Sequence, residues 1–498
     1  MAHRKAIPLI VSAAVGAAVC GPVPAAAGTA GGAGTVLEWR DCTVDDVAPD
    51  PFGGGGEMPE PPDGMRCADL EVPIDYDDPA GATVALQVAR VPSTGGGDTG
   101  PPVLLAPGGP GGPGIADFAP WTGAADGLLD GADLVTWNPR GTGGETMEML
   151  SPEECLMSGP EFTVPRTEEE YDAAVAANEE AFELCRSAAP ELFANMDSAT
   201  HARDMDAIRA ALGEERLRHF GYSYGAVLDV SYARLFPQRV EAMFLDSAVS
   251  HVGDFETEES AFYRMMEEAF AEFAEWCAGA DECVWQGEDV SAEWRALTAA
   301  AEEEPIPAGD GDLLLDGDDL RTAAAPMAKN AELWPVFSEA AGNALDGDAS
   351  GFLNGPGGGR PYFSSSSQAT ECADGVRFGD YQGYRAALER GDELSPNFGG
   401  NQAGYDLACT GWPVPEANPR GPIDADGLPP MLLASSANEF FDAEEVAEQV
   451  PGSVAVQLEG IDHNLYLELG NGCVIGHADR YLLDGVLPEQ GTTCELDA

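Results

Sequence analysis

The sequence predicts an α/β fold: a mostly parallel central sheet flanked by helices, with an inserted, mainly helical cap. The short apolar runs 103–106, 134–137 and 244–245 are typical of strands buried on both faces. Helical patterns lie between them, and the clearest, 204–212, is followed by Gly213. Strands that alternate with helices in this way indicate parallel pairing through crossover helices.

The alternation of strands and helices divides the chain. It runs through 67–251, is interrupted over 252–425 by acidic helical stretches and Gly- and Ser-rich runs, and resumes over 426–498. An insertion between two late strands of a parallel sheet lies near the carboxyl ends of the strands, where α/β proteins bind ligands. We therefore expect 252–425 to form a cap over a core built from the two flanking segments.

The N-terminus predicts export. Basic residues at positions 3–5 precede an apolar stretch over 7–19, and alanines at 25–27 supply a cleavage site, so we interpret 1–27 as a signal peptide of a secreted protein. The apolar stretch is shorter than the roughly 20 residues that cross a bilayer, which argues against a membrane anchor. A lipoprotein site at Cys20 is a further alternative with a poor lead-in sequence.

Cysteine usage agrees with export. Residues 28–66, rich in Gly, Pro and acidic residues, are predicted to be a flexible segment attached at Cys42. Ten of the eleven cysteines follow the signal peptide, an even number suited to disulfides in an oxidising compartment. Sequence neighbours suggest the pairs Cys42–Cys67, Cys155–Cys185, Cys277–Cys283, Cys372–Cys409 and Cys473–Cys494. No CxxC pair is present, and we expect no metal site and no cofactor.

The formal net charge of −63 at pH 7 limits the possible partners. Nucleic acid and anionic membrane surfaces would both be repelled, so we expect neither as a partner. Lys5 and Lys329 are the two lysines of the sequence, and arginine carries nearly all the positive charge. Such an excess of carboxylates is expected of a salt-adapted protein, because screening at high salt weakens self-repulsion. We expect the mature protein to be monomeric.

Residues 221–225 read Gly-Tyr-Ser-Tyr-Gly and fit the pattern G-x-S-x-G. A predicted strand, 217–220, precedes them, and a predicted helix, 226–235, follows. Glycines on both sides of Ser223 permit the tight strand-to-helix turn, the nucleophile elbow, that exposes a serine hydroxyl in the α/β-hydrolase fold. The alternative is a serine in an ordinary glycine turn. We favour Ser223 as a catalytic nucleophile on this fold.

A serine nucleophile needs a base to take its proton. His463 lies on the loop that leaves the last predicted strand, 454–458, in agreement with the chain order serine, acid, histidine of the fold. His477 falls on a predicted helix, and His219 belongs to the strand that enters the elbow, so both are interpreted as packed or solvated side chains. We predict that His463 is the general base.

The acid that orients the base should follow the predicted strand 431–434. Glu439 and Asp442 are both close to that strand. Asp442 begins a capping-box pattern completed by Glu445, so it is better explained as a helix N-cap. We therefore predict Glu439 as the acid and keep Asp442 as the alternate acid.

An oxyanion hole needs backbone N–H groups aimed at the developing negative charge. The Gly- and Pro-rich loop 107–114 directly follows the predicted strand 103–106, and its glycines allow close approach to a substrate. We assign one donor to the N–H of Gly109 and the other to the N–H of Tyr224, the residue after the nucleophile. A phosphate-binding loop is the rival interpretation, but the loop lacks lysine and proline interrupts its donors.

Residues 106–112, 137–143 and 221–225 together resemble the prolyl iminopeptidases and the secreted actinobacterial tripeptidyl aminopeptidases. The tripeptidyl branch is the better match, because the similarity extends over most of the mature chain. The resemblance implies a secreted serine exopeptidase that removes short peptides from a free N-terminus, with a cap limiting access. Two departures stand out: Asn138 and Glu439 each occupy a position where the family usually has Asp.

Three functions remain open. The first is a serine exopeptidase that acts on peptides with free N-termini, releasing tripeptides, through an acyl-enzyme. The second is a carboxylesterase or lipase of small esters on the same fold, and the third is a non-catalytic secreted binding protein. A carboxylate cluster in the cap would favour the peptidase, whereas an apolar groove there would favour the esterase.

Overall fold

The computed structural model describes residues 37–47, 60–96, 99–144, 146, 149, 164–309, 313–353 and 365–497. The signal peptide predicted over 1–27 and the segment 48–59 therefore lie outside the described residues. The strands are β1 Arg40–Asp41, β2 Arg66–Pro73, β3 Thr83–Val91, β4 Val103–Ala106, β5 Leu134–Trp137, β6 Leu217–Tyr222, β7 Val240–Asp246, β8 Ile306–Ala308, β9 Leu313–Leu315, β10 Leu432–Ser436, β11 Val454–Leu458 and β12 Thr493–Cys494.

Within the described residues, ten of these strands form the central sheet in the order β1-β2-β3-β5-β4-β6-β7-β10-β11-β12. The first pairs, β1–β2, β2–β3 and β3–β5, are antiparallel. All pairs from β5 to β12 are parallel. Strands β4 and β5 are buried at every residue, which explains why their sequences are wholly apolar or nearly so. The predicted parallel α/β sheet is confirmed.

Helices cover both faces of the sheet and form the insertion between β7 and β10. They are α1 Gly114–Phe118, α2 Asp126–Leu129, α3 Glu168–Ala188, α4 Pro190–Phe193, α5 Ser198–Leu212, α6 Gly225–Leu235, α7 Phe255–Gly279, α8 Val290–Glu303, α9 Gly317–Ala328, α10 Trp334–Leu345, α11 Ser365–Ala373, α12 Tyr381–Leu394, α13 Asn401–Leu407, α14 Phe440–Gln449 and α15 Gly472–Asp484. Helix α5 ends at Gly213, whose φ of 82° is the left-handed conformation that glycine adopts without strain.

The insertion between β7 and β10 has an apolar core of its own. Phe270, Trp294 and Phe337 are fully buried in a cluster whose members all lie between β7 and β10. The rings of Phe273 and Phe337 stack with their centroids 4.3 Å apart. We propose 252–425 as the cap, with 67–251 and 426–498 as the two parts of the hydrolase core.

The C-terminal part of the cap is attached firmly to the core. Trp412 packs on Phe182 and Phe193 with ring centroids 4.8 and 4.2 Å apart. The disulfide Cys372–Cys409 belongs to the same apolar cluster as the strands β2 and β3. This side of the cap is therefore continuous with the core, whereas the cluster around Phe270 is separate from it.

The described ends of the segment 28–66 are more regular than predicted. Arg40 pairs with Cys67 in the β1–β2 ladder, and the disulfide Cys42–Cys67 joins the residue after β1 to β2. Arg40 also makes two hydrogen bonds of 2.6 Å to Asp46. Leu37 and Val47 are buried. The prediction of a flexible segment is wrong for 37–47, because an edge strand, a disulfide and an ion pair together hold it on the sheet.

Four of the five predicted disulfides are confirmed: Cys42–Cys67, Cys277–Cys283, Cys372–Cys409 and Cys473–Cys494. Cys155, half of the fifth predicted pair, lies outside the described residues. No helix within the described residues combines the length and the apolar character needed to cross a membrane.

Candidate active site

Ser223 occupies a strained turn between β6 and α6. Its φ is 54°, a conformation that non-glycine residues rarely adopt. The flanking glycines are required by close packing. A Cβ on Gly221 would lie 2.5 Å from Asp229 Oδ2, and a Cβ on Gly225 would lie 2.1 Å from the carbonyl oxygen of Ala106. The two glycines of the G-x-S-x-G pattern are therefore needed because neighbouring atoms leave no room for a Cβ at either position.

Asp246, the last residue of β7, connects the elbow to the loop that carries His463. Its carbonyl oxygen accepts a hydrogen bond from the N–H of Ser223 at 2.9 Å. Its carboxylate accepts from the N–H groups of Leu465 and Tyr466 at 3.0 and 2.8 Å. Burial raises the pKa of this carboxyl to about 6, although the backbone donors oppose the shift. One buried residue therefore sets the relative positions of the elbow and the histidine loop.

His463 contacts Glu439 directly. The distance between His463 Nδ1 and Glu439 Oε2 is 2.7 Å, and the other carboxylate oxygen, Oε1, lies 3.2 Å from Lys329 Nζ. Burial alone would raise the pKa of Glu439, but the charge of Lys329 and the charge and hydrogen bond of His463 lower the pKa to about 2. Glu439 is thus ionised over the whole physiological range and can hold the imidazole in one orientation.

Asp442 does not have the N-cap role predicted for it. Helix α14 begins at Phe440, Glu439 occupies the N-cap position without a side-chain cap, and Asp442 lies in the first turn. The Asp442 carboxylate accepts a hydrogen bond from the N–H of Ser250 at 3.3 Å, and Glu445 accepts from the Ser250 hydroxyl. The capping-box interpretation is wrong because both carboxylates bind the chain that follows β7 instead of their own helix.

Asp442 also makes no hydrogen bond to the imidazole. The hydrogen bond of His463 Nδ1 goes to Glu439. Burial raises the pKa of Asp442 to about 7, and the nearby charge of Glu439 adds to the effect. Of the two candidate acids, the structure brings Glu439 to the histidine, whereas Asp442 lies further along the same helix.

The loop after β4 and the start of α6 bring two N–H groups to the elbow. Gly109 has a φ of 113°, and a Cβ on Gly108 would lie 3.0 Å from Ser223 Cβ, so only glycine permits this approach. Within the described residues, the N–H groups of Gly109 and Tyr224 donate to no protein acceptor. The Tyr224 hydroxyl donates to Asp374 of the cap at 2.7 Å. Both N–H groups are therefore free to bind a ligand oxygen.

A cavity of about 550 Å³ opens between the core and the cap. All the residues predicted for the site line it: Gly109, Ser223, Tyr224, Glu439, Asp442 and His463. Within the described residues, Ser223 and His463 share this cavity without a hydrogen bond between them. Hydrogen bonds between catalytic groups often tighten only when a substrate is bound, so the arrangement is compatible with nucleophilic catalysis.

The cap lines one side of this cavity with carboxyl groups. Asp406 is buried, and its Oδ2 atom has no hydrogen-bond partner within the described residues. Glu371 accepts hydrogen bonds of 3.0 and 3.1 Å from the Tyr405 hydroxyl. Burial raises the pKa of Glu371 to about 7 and that of Asp406 well above its usual range. Both groups would be stabilised in their charged form by a cation that enters the cavity.

The conspicuous loop residues 138–140 have structural contacts. Asn138 Oδ1 accepts from the N–H of Ile115 at 3.0 Å, and its Nδ2 donates to Gln87 at 2.9 Å. Arg140 is fully buried and binds Asp204 through two hydrogen bonds of 2.6 and 2.8 Å. Asn138 therefore fixes the start of α1, just after the Gly109 loop, and an amide satisfies both partners there.

Lys329, Asp246, Glu371 and Asp406 were not singled out as site residues from the sequence. Lys329 could have been noticed because the sequence has only two lysines. The three carboxyl groups could not be distinguished from the other Asp and Glu residues, of which the sequence has 87 in all. A potential metal-binding group, Cys473, His477 and Cys494, has its ligand atoms within 4.8 Å of one another. The two cysteines form a disulfide, so their thiolates are not available to a metal.

Comparisons with known proteins agree with this arrangement. A family model described as the alpha/beta hydrolase fold matches residues 101–313, and one described as TAP-like protein matches 395–494. The tripeptidyl aminopeptidase of Streptomyces coelicolor is 27% identical over 92% of this chain and 86% of its own length. The serine protease Hip1 of Mycobacterium tuberculosis is 27% identical over 87% and 88% of the two chains.

A third relative bears a different kind of name. Carboxylesterase B of Mycobacterium tuberculosis is 28% identical over 86% of each chain. The two segments matched by family models together exceed half of this chain, and they include the elbow in the first and the loop of His463 in the second. The chain is therefore a serine hydrolase with the α/β-hydrolase fold, and its segment 395–494 matches the TAP-like family model.

Proposed function

We propose that this protein is a secreted serine exopeptidase that releases short peptides, tripeptides in particular, from free N-termini. Ser223 is the nucleophile, His463 the general base and Glu439 the acid that orients it, while the N–H groups of Gly109 and Tyr224 form the oxyanion hole. The observation that carries the proposal is the 2.7 Å contact of His463 Nδ1 with Glu439 beside the strained elbow.

The proposed reaction follows from these positions. Because Glu439 accepts the Nδ1 hydrogen, His463 Nε2 is left to take the proton from the Ser223 hydroxyl as its oxygen attacks the peptide carbonyl carbon. The carbonyl oxygen becomes negatively charged and is stabilised by the two N–H groups. Collapse of this intermediate breaks the C–N bond, and His463 returns its proton to the leaving amine. Water, activated in the same way, then releases the peptide from Ser223.

Selection for a free N-terminus is the second part of the proposal. A substrate ammonium can donate a hydrogen bond to Asp406 Oδ2, which has no other partner within the described residues, and can also bind Glu371. Both groups line the cavity that contains Ser223. Charged hydrogen bonds of this kind fix how deeply a peptide enters. The names of two relatives, a tripeptidyl aminopeptidase and a serine protease, support the peptide as substrate. Four disulfides support an oxidising, extracellular location.

We expect the enzyme to require a free α-ammonium group. N-acetylation of a fluorogenic tripeptide amide should abolish most of its turnover. Glu371→Gln and Asp406→Asn should each lower kcat/KM for the free substrate about tenfold or more, because each removes the negative charge that would strengthen its hydrogen bond to the ammonium. Glu389→Gln is the control, since Glu389 is an exposed cap carboxylate on α12 paired with Arg385. Equal turnover of the free and acetylated amides would contradict the exopeptidase.

The alternative of an ester hydrolase is favoured by the other side of the cavity. The cap contributes several apolar side chains to its lining, namely Phe262, Met265, Met266, Phe352 and Phe398. A relative named carboxylesterase B points the same way. Hydrolysis of a short acyl ester without measurable turnover of any tripeptide amide, and with no loss on changing Glu371, would establish this alternative.

We also expect the protein to be stabilised by salt. With a formal net charge of −63, its carboxylates repel one another at low ionic strength, where the Debye length is about 30 Å at 0.01 M and only about 3 Å at 1 M. The melting temperature should therefore rise by several degrees between these two salt concentrations. The measurement is a thermal melt at fixed pH, and an unchanged or lower value at 1 M would contradict salt adaptation.

A further inference from the structure

Lys329, a residue of the cap, forms an ion pair with Glu439, the proposed acid of the core. It follows helix α9 directly, and its Nζ lies 3.2 Å from Glu439 Oε1. The lysine side chain is 26% exposed and that of Glu439 is 8% exposed, so solvent screens this pair less than a surface pair. It is one of two lysines in 498 residues, and the other lies in the predicted signal peptide.

The two oxygens of the Glu439 carboxylate have separate partners. Oε1 binds Lys329, and Oε2 binds His463 Nδ1 at 2.7 Å. In the family that the sequence resembles, this position is usually aspartate, whose side chain has one rotatable bond fewer than that of glutamate. The longer glutamate side chain needs a second contact to fix the orientation of its carboxylate. Lys329 supplies this second contact from the cap.

Other charged groups near the triad cannot substitute for Lys329. Asp246, Asp442 and Asp462 are carboxyl groups and would favour protonated histidine rather than oppose it. Arg420, the other cation close to Asp442, is paired with Glu258 of α7. Among the described residues, Lys329 is therefore the cation that acts on Glu439 and, through it, on His463.

We propose that Lys329 is a positioning residue through which the cap controls the triad: its Nζ holds the Glu439 carboxylate in place beside His463 and offsets part of the charge of that carboxylate. The proposal rests on the roles assigned above to Ser223, His463 and Glu439. It makes the cap part of the catalytic arrangement in addition to its function of limiting access.

The test uses a reaction that does not depend on the natural substrate. The rate at which a neutral fluorophosphonate labels Ser223 is measured as a function of pH at constant ionic strength for the full-length mature enzyme. In Lys329→Met, the loss of a cation stabilises protonated His463, so the acid limb of the profile should move to higher pH by roughly half a unit or more. Lys329→Arg should restore most of the original profile, because arginine keeps the charge.

Controls separate this effect from folding and from net charge. Lys329→Gln is measured beside Lys329→Met, and thermal melts establish that each variant is folded. Arg385→Met removes an exposed cap cation whose partner is Glu389, and it should leave the profile unchanged. An unchanged acid limb in the folded Met and Gln variants, or an equal shift in Arg385→Met, would overturn the proposal.

The same measurement separates two failures. If the wild-type enzyme is labelled at Ser223 but cleaves no peptide, the exopeptidase is wrong while the pH profiles still decide the role of Lys329. If Ser223 is not labelled at all, the assigned triad is wrong, and the role of Lys329 is overturned with it.

Discussion

Replacing Ser223 with alanine should abolish peptide hydrolysis while leaving the fold intact. Removal of a triad nucleophile costs on the order of 10⁶ in kcat when the other members act only through it. The hydroxyl makes no hydrogen bond to His463 within the described residues, and the strained φ of 54° is imposed by the backbone, so alanine should be accommodated there. Turnover of a fluorogenic tripeptide amide measures the loss of hydrolysis, and a thermal melt shows whether the fold is intact.

Covalent labelling provides the control for this variant. An organofluorophosphonate should label the wild-type protein at Ser223 and fail to label Ser223→Ala. Ser435→Ala is a matched variant, because Ser435 is buried in β10 outside the residues that line the cavity, and it should be labelled normally. Persistent labelling of Ser223→Ala would show that another residue is the nucleophile.

Glu439→Gln should have the next largest effect. An amide at this position can no longer accept the Nδ1 hydrogen with a full negative charge, so the imidazolium formed in the transition state loses its counterion. By analogy with other triads the loss in kcat should be about 10³–10⁴. Asp442→Asn should cost less than about tenfold, because Asp442 makes no hydrogen bond to His463 and has a pKa raised to about 7 by burial.

The comparison is made on kcat for the same tripeptide amide, with both variants near the pH optimum. The two substitutions are matched: each replaces a carboxylate at the start of helix α14 by its amide. A larger loss in Asp442→Asn than in Glu439→Gln would transfer the role of the acid to Asp442. A loss of equal size in both variants would instead indicate that the cavity responds to charge in general.

The parts of the fold that could be predicted from sequence are those governed by local rules. The runs 103–106 and 134–137 are buried strands because no charged residue interrupts them, and the glycines of 221–225 are required because a Cβ at Gly221 or Gly225 would clash with neighbouring atoms. The position of Glu439 just after the strand 431–434 also followed from local spacing, but the reason for preferring it to Asp442, an N-cap role of Asp442, was wrong. Each of these features depends on a few residues that are close in the chain, and it can therefore be predicted from the sequence.

The features that sequence could not predict depend on contacts between distant segments. Asp442 matched an N-cap pattern, but its carboxylate binds Ser250, and this pairing is created by the adjacency of β7 and β10. Arg40 could not be assigned to a strand, since its partner strand begins more than twenty residues later across a Gly-rich stretch. Lys329 reaches Glu439 from over one hundred positions away, and no local pattern carries that information.

The order of strands in the sheet has a consequence for synthesis. The elbow lies at the end of β6, but β10 and β11, which position Glu439 and His463, enter the sheet beside β7 only after the cap has been made. A chain that is truncated within the cap would carry the proposed nucleophile, Ser223, without the proposed base and acid. Hydrolytic activity should thus be absent until the C-terminal strands are added, and a serine hydrolase built in this order should not cleave while its own translation is incomplete.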